Sequence, residues 1–534
     1  MPRSTNAARL KLERLGERPA GRVAAGLALL HLALAACALE PAPYVGGDNA
    51  AYVALAESLV KWGSYVDLWD PALRPHTQYP PVFPLLLAAA MKVGISGWIG
   101  FKLITVACSG LAVAASYLWM RRTTTPGIAL GAGALLAILP GPLEIAHHVL
   151  SDTPFWALAL LALWAAADRV DGRMRWALWA ALFTATAYMT RSAGLPLVVA
   201  LAATFALRRR GRELAILAAV AGIPALLWWL RGRSLGAGGY TAQLLTVNPY
   251  QPELGTIDAA GWVSRIGENV AHYMDRHLPL MLGEAGTAGR ALAFVLVLLA
   301  LAGWALRVRR AGAAELFLPL YVGLLLIWPA TWSGERFLLP ILPLLLVYAA
   351  EVVRDAASKA RLAPGWAALA FAAPLALVAL PATAAELRDG VECSRAYRDG
   401  DPLPCLTPTW RDLFSVAMEA RGTLPPGSVV LSRKPTLFYI LSGYRGRLYA
   451  TSSDPAAFFG GAREAGAGWV VVDQVPDLAP IYLHPVLLAR RDDFCVVPEL
   501  SLPNAALARI HPGGPPRPAD APANAFRSCP LAGE

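Results

Sequence analysis

Apolar residues in this chain come in long runs, and arginines fall in short clusters at the ends of those runs. That pattern predicts membrane-spanning helices with their basic ends on the cytoplasmic side. The first run, Val23 to Leu39, follows Arg3, Arg9, Lys11, Arg14, Arg18 and Arg22, so its leading end is expected inside and the next loop outside. Clusters at Arg121-Arg122, Arg169/Arg173/Arg175, Arg208-Arg209-Arg210/Arg212, Arg307/Arg309/Arg310 and Arg354/Lys359/Arg361 can all lie inside under one threading. That threading places further spans near 101–119, 126–143, 153–167, 176–190, 193–207, 214–230, 291–306, 316–333, 337–353 and 364–383. It works only if the apolar run Pro81 to Val93 does not cross, which makes that run a juxtamembrane or re-entrant helix. Several spans fall short of the ~20 residues a lone transmembrane helix needs, and are expected to be tilted, longer than drawn or shielded by neighbours. Arg231 and Arg233 fall outside, where they open a long loop and the positive-inside rule is weaker.

The expected fold is an α-helical polytopic membrane protein of about eleven spans plus the juxtamembrane helix, with a small C-terminal α/β extracytoplasmic domain. Its parts are a basic N-terminus over 1–22, a transmembrane region over 23–384, an α/β domain over 385–511 and a Pro-rich tail over 512–534. The transmembrane region carries a first outer loop at 40–80 and a long outer loop at 231–290. In the α/β domain, helices are expected at Pro408 to Arg421 and Pro455 to Ala465. The β-branched runs at Ser428 to Leu431, Trp469 to Val472 and Phe494 to Val497 read as strands. The tail, with Pro512, Pro515, Pro516, Pro518 and Pro522, is expected to be disordered. Leu34-Ala35-Ala36-Cys37 has the form of a lipoprotein cleavage box, but alanine and leucine abound and the basic stretch ahead is long, so a retained first helix is expected.

Composition agrees with the pattern. Hydrophobic residues make up 56% of the 534 and charged ones 16%, against ~25% charged in soluble domains. The net charge of +10 sits in the topogenic clusters, so no nucleic-acid partner is expected. No P-loop occurs, and the glycines at 460–461, 466 and 468 lack the strand, turn and helix context of a dinucleotide site, so no nucleotide cofactor is expected. Cys393, Cys405, Cys495 and Cys529 all follow the last span, which suits an oxidising compartment. Of the three pairings, closeness in the chain favours Cys393 with Cys405 and Cys495 with Cys529.

Candidate chemistry gathers at the outer helix ends. The first loop reads Gly46-Gly47-Asp48-Asn49-Ala50-Ala51-Tyr52 at one end and Gln78-Tyr79-Pro80-Pro81 at the other, and offers the Asp48 carboxylate beside the membrane. Asp48 alternatively caps a helix that starts at Asn49, and Asp152 a helix that starts at Thr153-Pro154. His147-His148 with Asp152 and Asp48 are weak metal candidates, with interfacial residues as the plainer reading. Arg191 and Arg336 lie in short outer loops, where arginine either grips a phosphate or snorkels to headgroups. Tyr79 to Pro81 turns the chain and suits sugar stacking, while the loop from Leu235 to Leu282 is long enough to cover a site.

Taken together, the first loop, His147-His148-Val149-Leu150-Ser151-Asp152-Thr153-Pro154, Thr190-Arg191-Ser192-Ala193-Gly194-Leu195 and Gly334-Glu335-Arg336-Phe337-Leu338-Leu339-Pro340 resemble the GT-C membrane glycosyltransferases. The bacterial branch related to protein O-mannosyltransferases and to the lipid A aminoarabinose transferase is the nearest in pattern, and Ser432-Arg433-Lys434-Pro435 is similar to the periplasmic ends of such proteins. The resemblance implies transfer of a sugar from a polyprenyl phosphate to a lipid, glycan or protein acceptor, outside the bacterial cytoplasmic membrane. It implies catalytic roles for Asp48 and Asp152 and basic lipid-phosphate contacts for Arg191 and Arg336; Tyr52, Tyr79, Pro80 and Glu335 complete the candidate substrate-binding set. Gln78-Tyr79 stands where the aminoarabinose branch carries an acidic-basic pair, which weakens the case for a divalent metal and for a lysine on the phosphate. The rival readings are a transporter or flippase of lipid-linked glycan, which would carry mid-membrane polar groups, and an inactive glycan-binding relative, against which Asp48 speaks.

Overall fold

The computed structural model describes residues 19–167, 174–236, 239–284, 286–512 and 526–529. Arg3, Arg9, Lys11, Arg14, Arg18, Arg169, Arg173, Pro515, Pro516, Pro518 and Pro522 lie outside the described residues. A helix stands at each expected span. Among the described residues, Ala20–Cys37, Gly97–Thr123, Gly211–Ser234, Thr287–Arg310 and Gly365–Arg398 are long and apolar enough to cross a membrane. Pro126–Ile138 and Pro140–Ala146 form a sixth, bent by 52°. The bend has a local cause: Leu139 precedes Pro140 and is pushed into an extended conformation at ψ 136°.

Asp152–Ala166, Ser192–Leu207 and Ala313–Ile327 are apolar but shorter. Shielding suits the first of them: Phe155, Trp156, Leu160 and Leu163 are all at most 2% exposed, and the helix packs between Gly97–Thr123 and Met174–Thr190. Val82–Lys92 has 11 residues, a reach of about 16 Å, half of a ~30 Å hydrocarbon core. The first helix is tied into the body by His31, whose ring bonds the Ala137 carbonyl at 3.0 Å and the Ser109 hydroxyl at 3.1 Å.

Two boundaries differ from expectation. The stretch drawn as the end of one span and the start of the next, 328–341, is an irregular outer connection with short 3₁₀ turns at Ala330–Trp332 and Glu335–Leu338. Pro329 and Pro340 deny it backbone donors, and the next helix, Leu342–Lys359, starts only with Pro343 in its first turn. The last membrane helix runs on to Arg398, so position 385 falls inside one 35-residue element. The Cys393–Cys405 disulfide then fastens its end to the following loop.

The C-terminal domain is a six-stranded mixed sheet in the order β2-β1-β3-β5-β4-β6. β1 (Val429–Leu431), β3 (Trp469–Asp473) and β4 (Phe494–Leu502) are the strands expected from the β-branched runs. β2 (Arg445–Arg447), β5 (Ala505–Ile510) and β6 (Arg527–Ser528) lack such runs. β1 pairs in parallel with both β2 and β3, while β3–β5 and β4–β5 are antiparallel. The Cys495–Cys529 disulfide joins β4 to the residue after β6. Helices Pro408–Glu419, Pro435–Ser442 and Pro455–Ala465 cover the sheet. The domain rests on the first outer loop: Gly446 N–H donates to the Trp69 carbonyl at 2.7 Å, and Arg447 reaches Asp70 at 3.1 Å.

Candidate active site

Gly47 sets the first loop's geometry. At φ 89° it takes a conformation that favours glycine, turning the chain so that the helix Asp48–Trp62 begins at once. The Asp48 side chain does not cap that helix; Gly47 holds the cap position. Its carboxylate turns outward, accepting from the Tyr79 hydroxyl at 2.9 Å and from Arg336 at 2.9 Å. Asp152 likewise starts its own helix with Ser151 at the cap. It accepts from Arg191 at 2.9 Å and lies 3.8 Å from Arg336. Arg336 is therefore shared by aspartates that begin two different helices, and Phe337 lies 4.9 Å and 5.0 Å under the guanidiniums of Arg191 and Arg336.

The two aspartates differ in access. Asp48 keeps 32% of its side chain exposed and Asp152 only 3%. Burial pushes the Asp48 carboxyl up, but Arg336, Tyr79 and Lys434 outweigh it and hold the group below the usual carboxylate range. It is an anion at any neutral pH.

An aromatic wall backs the pair. Tyr79 packs on His76 at 5.1 Å and on Tyr52 at 4.7 Å, and Tyr52 bonds the Ser151 hydroxyl at 2.8 Å. The Tyr65 hydroxyl lies 2.9 Å from the Tyr79 carbonyl and 3.4 Å from that of Pro80, which fastens the turn that presents Tyr79. Glu335 faces away from the shared arginine's aspartates and pairs with His277 at 3.1 Å. That hydrogen bond, first, holds its carboxyl down to about 2.

His147 and His148 do not join a ligand set. His148 stacks on Tyr44 at 4.0 Å, and burial lowers its ring to about 3; His147 is buried, with Nδ1 unpartnered. Among the described residues no three His, Cys, Asp or Glu side chains come together that would take a metal ion. With both aspartates answered by arginines, the residues present do not fit a resident metal.

Three residues reach the site that the sequence motifs did not assign to it. Tyr240, on the helix Gly239–Leu245 of the long loop, feels the charges of Asp48, Arg191 and Arg336 and packs on Trp328 at 5.6 Å. Its loop is pinned over the site by Asn269, which donates to the Leu326 and Trp328 carbonyls at 2.9 and 2.7 Å. His277, noted above, comes from the same loop. Lys434 arrives from the C-terminal domain, 388 positions from its acceptor, the Gly46 carbonyl, at 3.0 Å. Thr436 beside it donates to the Gly47 carbonyl at 3.2 Å. The Ser432-Arg433-Lys434-Pro435 segment stood out in the sequence, yet nothing in it said which loop it meets.

Solved structures share this arrangement of helices and terminal domain. The chain is similar to ArnT from Cupriavidus metallidurans in the apo state, with TM-score 0.54, 13% identity, and 92% of this chain and 98% of that one covered. The fold is that of the GT-C glycosyltransferases. The same ArnT bound to undecaprenyl phosphate gives TM-score 0.54 at 15% identity, with the same 92% and 98% covered. The oligosaccharyltransferase of Archaeoglobus fulgidus, in complex with Zn and sulfate, gives TM-score 0.56 at 15% identity over 89% of this chain and 72% of that one. Within the GT-C fold, residues 78–230 match the family model described as dolichyl-phosphate-mannose-protein mannosyltransferase. That match includes Tyr79, Asp152 and Arg191, and leaves Asp48 and Arg336 outside. No curated protein sequence matches the chain.

Proposed function

We propose that this protein transfers a sugar from a polyprenyl-phosphate donor to a hydroxyl of a lipid, glycan or protein acceptor, on the outer side of a bacterial cytoplasmic membrane. The observation that carries the reading is Arg336 held between Asp48 and Asp152. It puts a partly exposed carboxylate beside paired arginines in a GT-C fold. The ArnT neighbour crystallised with undecaprenyl phosphate makes a polyprenyl phosphate the natural donor class.

The chemistry follows from the charges. The acceptor oxygen bonds to the anomeric carbon as the carbon–oxygen bond to phosphate breaks; the electron pair stays on the phosphate, and the acceptor proton passes to Asp48. A buried Asp152 keeps Arg191 and Arg336 aimed, and their forks suit phosphate oxygens. Asp48 in its present pairing is a weak base. A donor phosphate that draws Arg336 toward itself relieves Asp48 of its strongest partner and raises its basicity only when substrate is present. Tyr79 holds the freed carboxylate in place, Tyr52 supports it, Pro80 shapes the turn between them, and Glu335 with its His277 partner is left to meet sugar hydroxyls.

Reconstitution of the purified protein with a panel of polyprenyl-phosphate sugars, with products followed by mass spectrometry, tests the reading. Consumption of one donor with release of polyprenyl phosphate is expected. Intact donors across the panel, in the presence of lipid, glycan and peptide acceptors, would refute it.

A further inference from the structure

The sheet of the C-terminal domain has a feature that bears on the site. β1 lies between β2 and β3 and is parallel to both. The chain leaves β1 to one side and returns on the other, so a crevice forms beyond the carboxyl ends of β1 and β3, the position at which open α/β sheets hold ligands. Arg433, just after β1, spans that crevice and donates to the Val475 and Pro476 carbonyls at 2.8 and 2.7 Å. Lys434, the next residue, points out of the crevice into the first outer loop.

Lys434 sits directly over Gly47: a Cβ there would lie 3.3 Å from its Cδ and 3.6 Å from its Nζ. Its ammonium, Asp48 and Arg336 act on one another electrostatically. The cations are not equally answered. Asp48 has Arg336 and Asp152 has Arg191 at 2.9 Å, whereas among the described residues Lys434 has only a backbone carbonyl. Burial, first, lowers its ammonium below the usual lysine range although Asp48 is near. Such a half-buried cation, short of an anion, lies on the rim of a site already read as binding a phosphodiester.

We propose that Lys434 is a third phosphate-binding cation of the active site, supplied by the C-terminal domain to the donor's phosphate. This rests on the transferase reading and deepens it. The chain lacks a lysine at Gln78-Tyr79, and Lys434 brings the charge to the same loop from the other side. As the sugar leaves, the phosphate passes from a diester monoanion to a monoester dianion, so a neighbouring ammonium binds it more strongly in the transition state and in the product complex.

The test uses the full chain in lipid nanodiscs, with undecaprenyl phosphate as the binding probe. Lys434→Met removes the charge, Lys434→Arg restores it, and Thr436→Val removes the neighbouring tie to Gly47 without touching any charge. Lys434→Met is expected to weaken undecaprenyl phosphate binding by about tenfold or more, as for a lost charge-assisted hydrogen bond, and to raise KM for the donor with it. Arginine should recover most of the loss, and Thr436→Val should bind like wild type. Unchanged binding and KM in Lys434→Met would overturn the proposal, as would equal losses in Lys434→Met and Thr436→Val, which mark a tie between domains. If wild type binds the probe through Lys434 yet transfers no sugar, the phosphate site stands and the transferase reading falls.

Discussion

Asp48 and Asp152 occupy helix first turns, where a carboxylate often does no more than favour the helix dipole; here both are turned to arginines. The difference in exposure separates their expected phenotypes. Asp48→Asn keeps size and removes charge, so it should fold and bind undecaprenyl phosphate near wild type while turnover in the reconstituted assay drops by about 10² to 10⁴. Transfer near wild type would remove the base assignment and move it to Asp152. Asp152→Ala strands Arg191, whose one carboxylate partner it is, and breaking such a buried pair costs about 3–5 kcal/mol, so its loss should appear as low folded yield. Glu335 adds a pH signature. Its folded value of about 2 lies below the unfolded 4.5, so its stabilisation is full above about pH 4.5 and is lost as pH falls toward 2. A Glu335→Gln variant should therefore show a shallower fall of melting temperature between pH 5 and 3 than wild type. At this scale the four charged residues at helix ends were legible, because short polar motifs stand out against apolar runs. Tyr240 and His277 were not, and Lys434 stood out only as part of Ser432-Arg433-Lys434-Pro435 and not as a neighbour of Asp48, since each is placed by a fold-back that no local pattern encodes.

Elements were legible in proportion to how local their causes are. Pro455–Ala465 matched to the residue because Asp454 caps it, accepting from Ala456 N–H at 3.0 Å, and Gly466 ends it. The kink at Leu139 and the irregular stretch 328–341 were missed because proline effects were outweighed, on paper, by continuous hydrophobicity. Strand β5, Ala505–Ile510, is alanine-rich and takes its place by pairing with β3 and β4, which composition does not announce. Gly47 is the element-scale position to test. Alanine there meets a positive φ and the Lys434 side chain together. Gly47→Ala should destabilise by about 1–2 kcal/mol, seen in thermal melts, and should cost transfer more than stability, because it moves Asp48 and Lys434 at once. The disulfides give a second check: protein from an oxidising compartment should resist alkylation at Cys393, Cys405, Cys495 and Cys529 until reductant is added. Labelling of all four without reductant would contradict both bridges.

At the scale of the whole molecule, helix length carries only part of the threading, because among the described residues five helices and one bent pair are long and apolar enough to cross unaided. The remainder rests on charge placement. Arg121-Arg122 end one long helix and Arg307 to Arg310 another, while Asp48, Asp152, Arg191 and Arg336 meet at the opposite set of helix ends. If basic clusters lie inside, the whole site and the C-terminal domain lie outside, and the disulfides fall in the compartment that tolerates them. These facts are coupled, so one experiment tests them together. A phosphatase reporter, active only outside the cytoplasm, should be active when fused after Leu387 and inactive when fused after Arg210. A fusion in the connection between Trp328 and Pro340 should be active as well, since Arg336 has to share a side with Asp48. Activity after Arg210 with silence after Leu387 would invert the molecule, put the aspartates and their arginines in the cytoplasm, and leave a polyprenyl-phosphate donor from the outer leaflet unable to reach them.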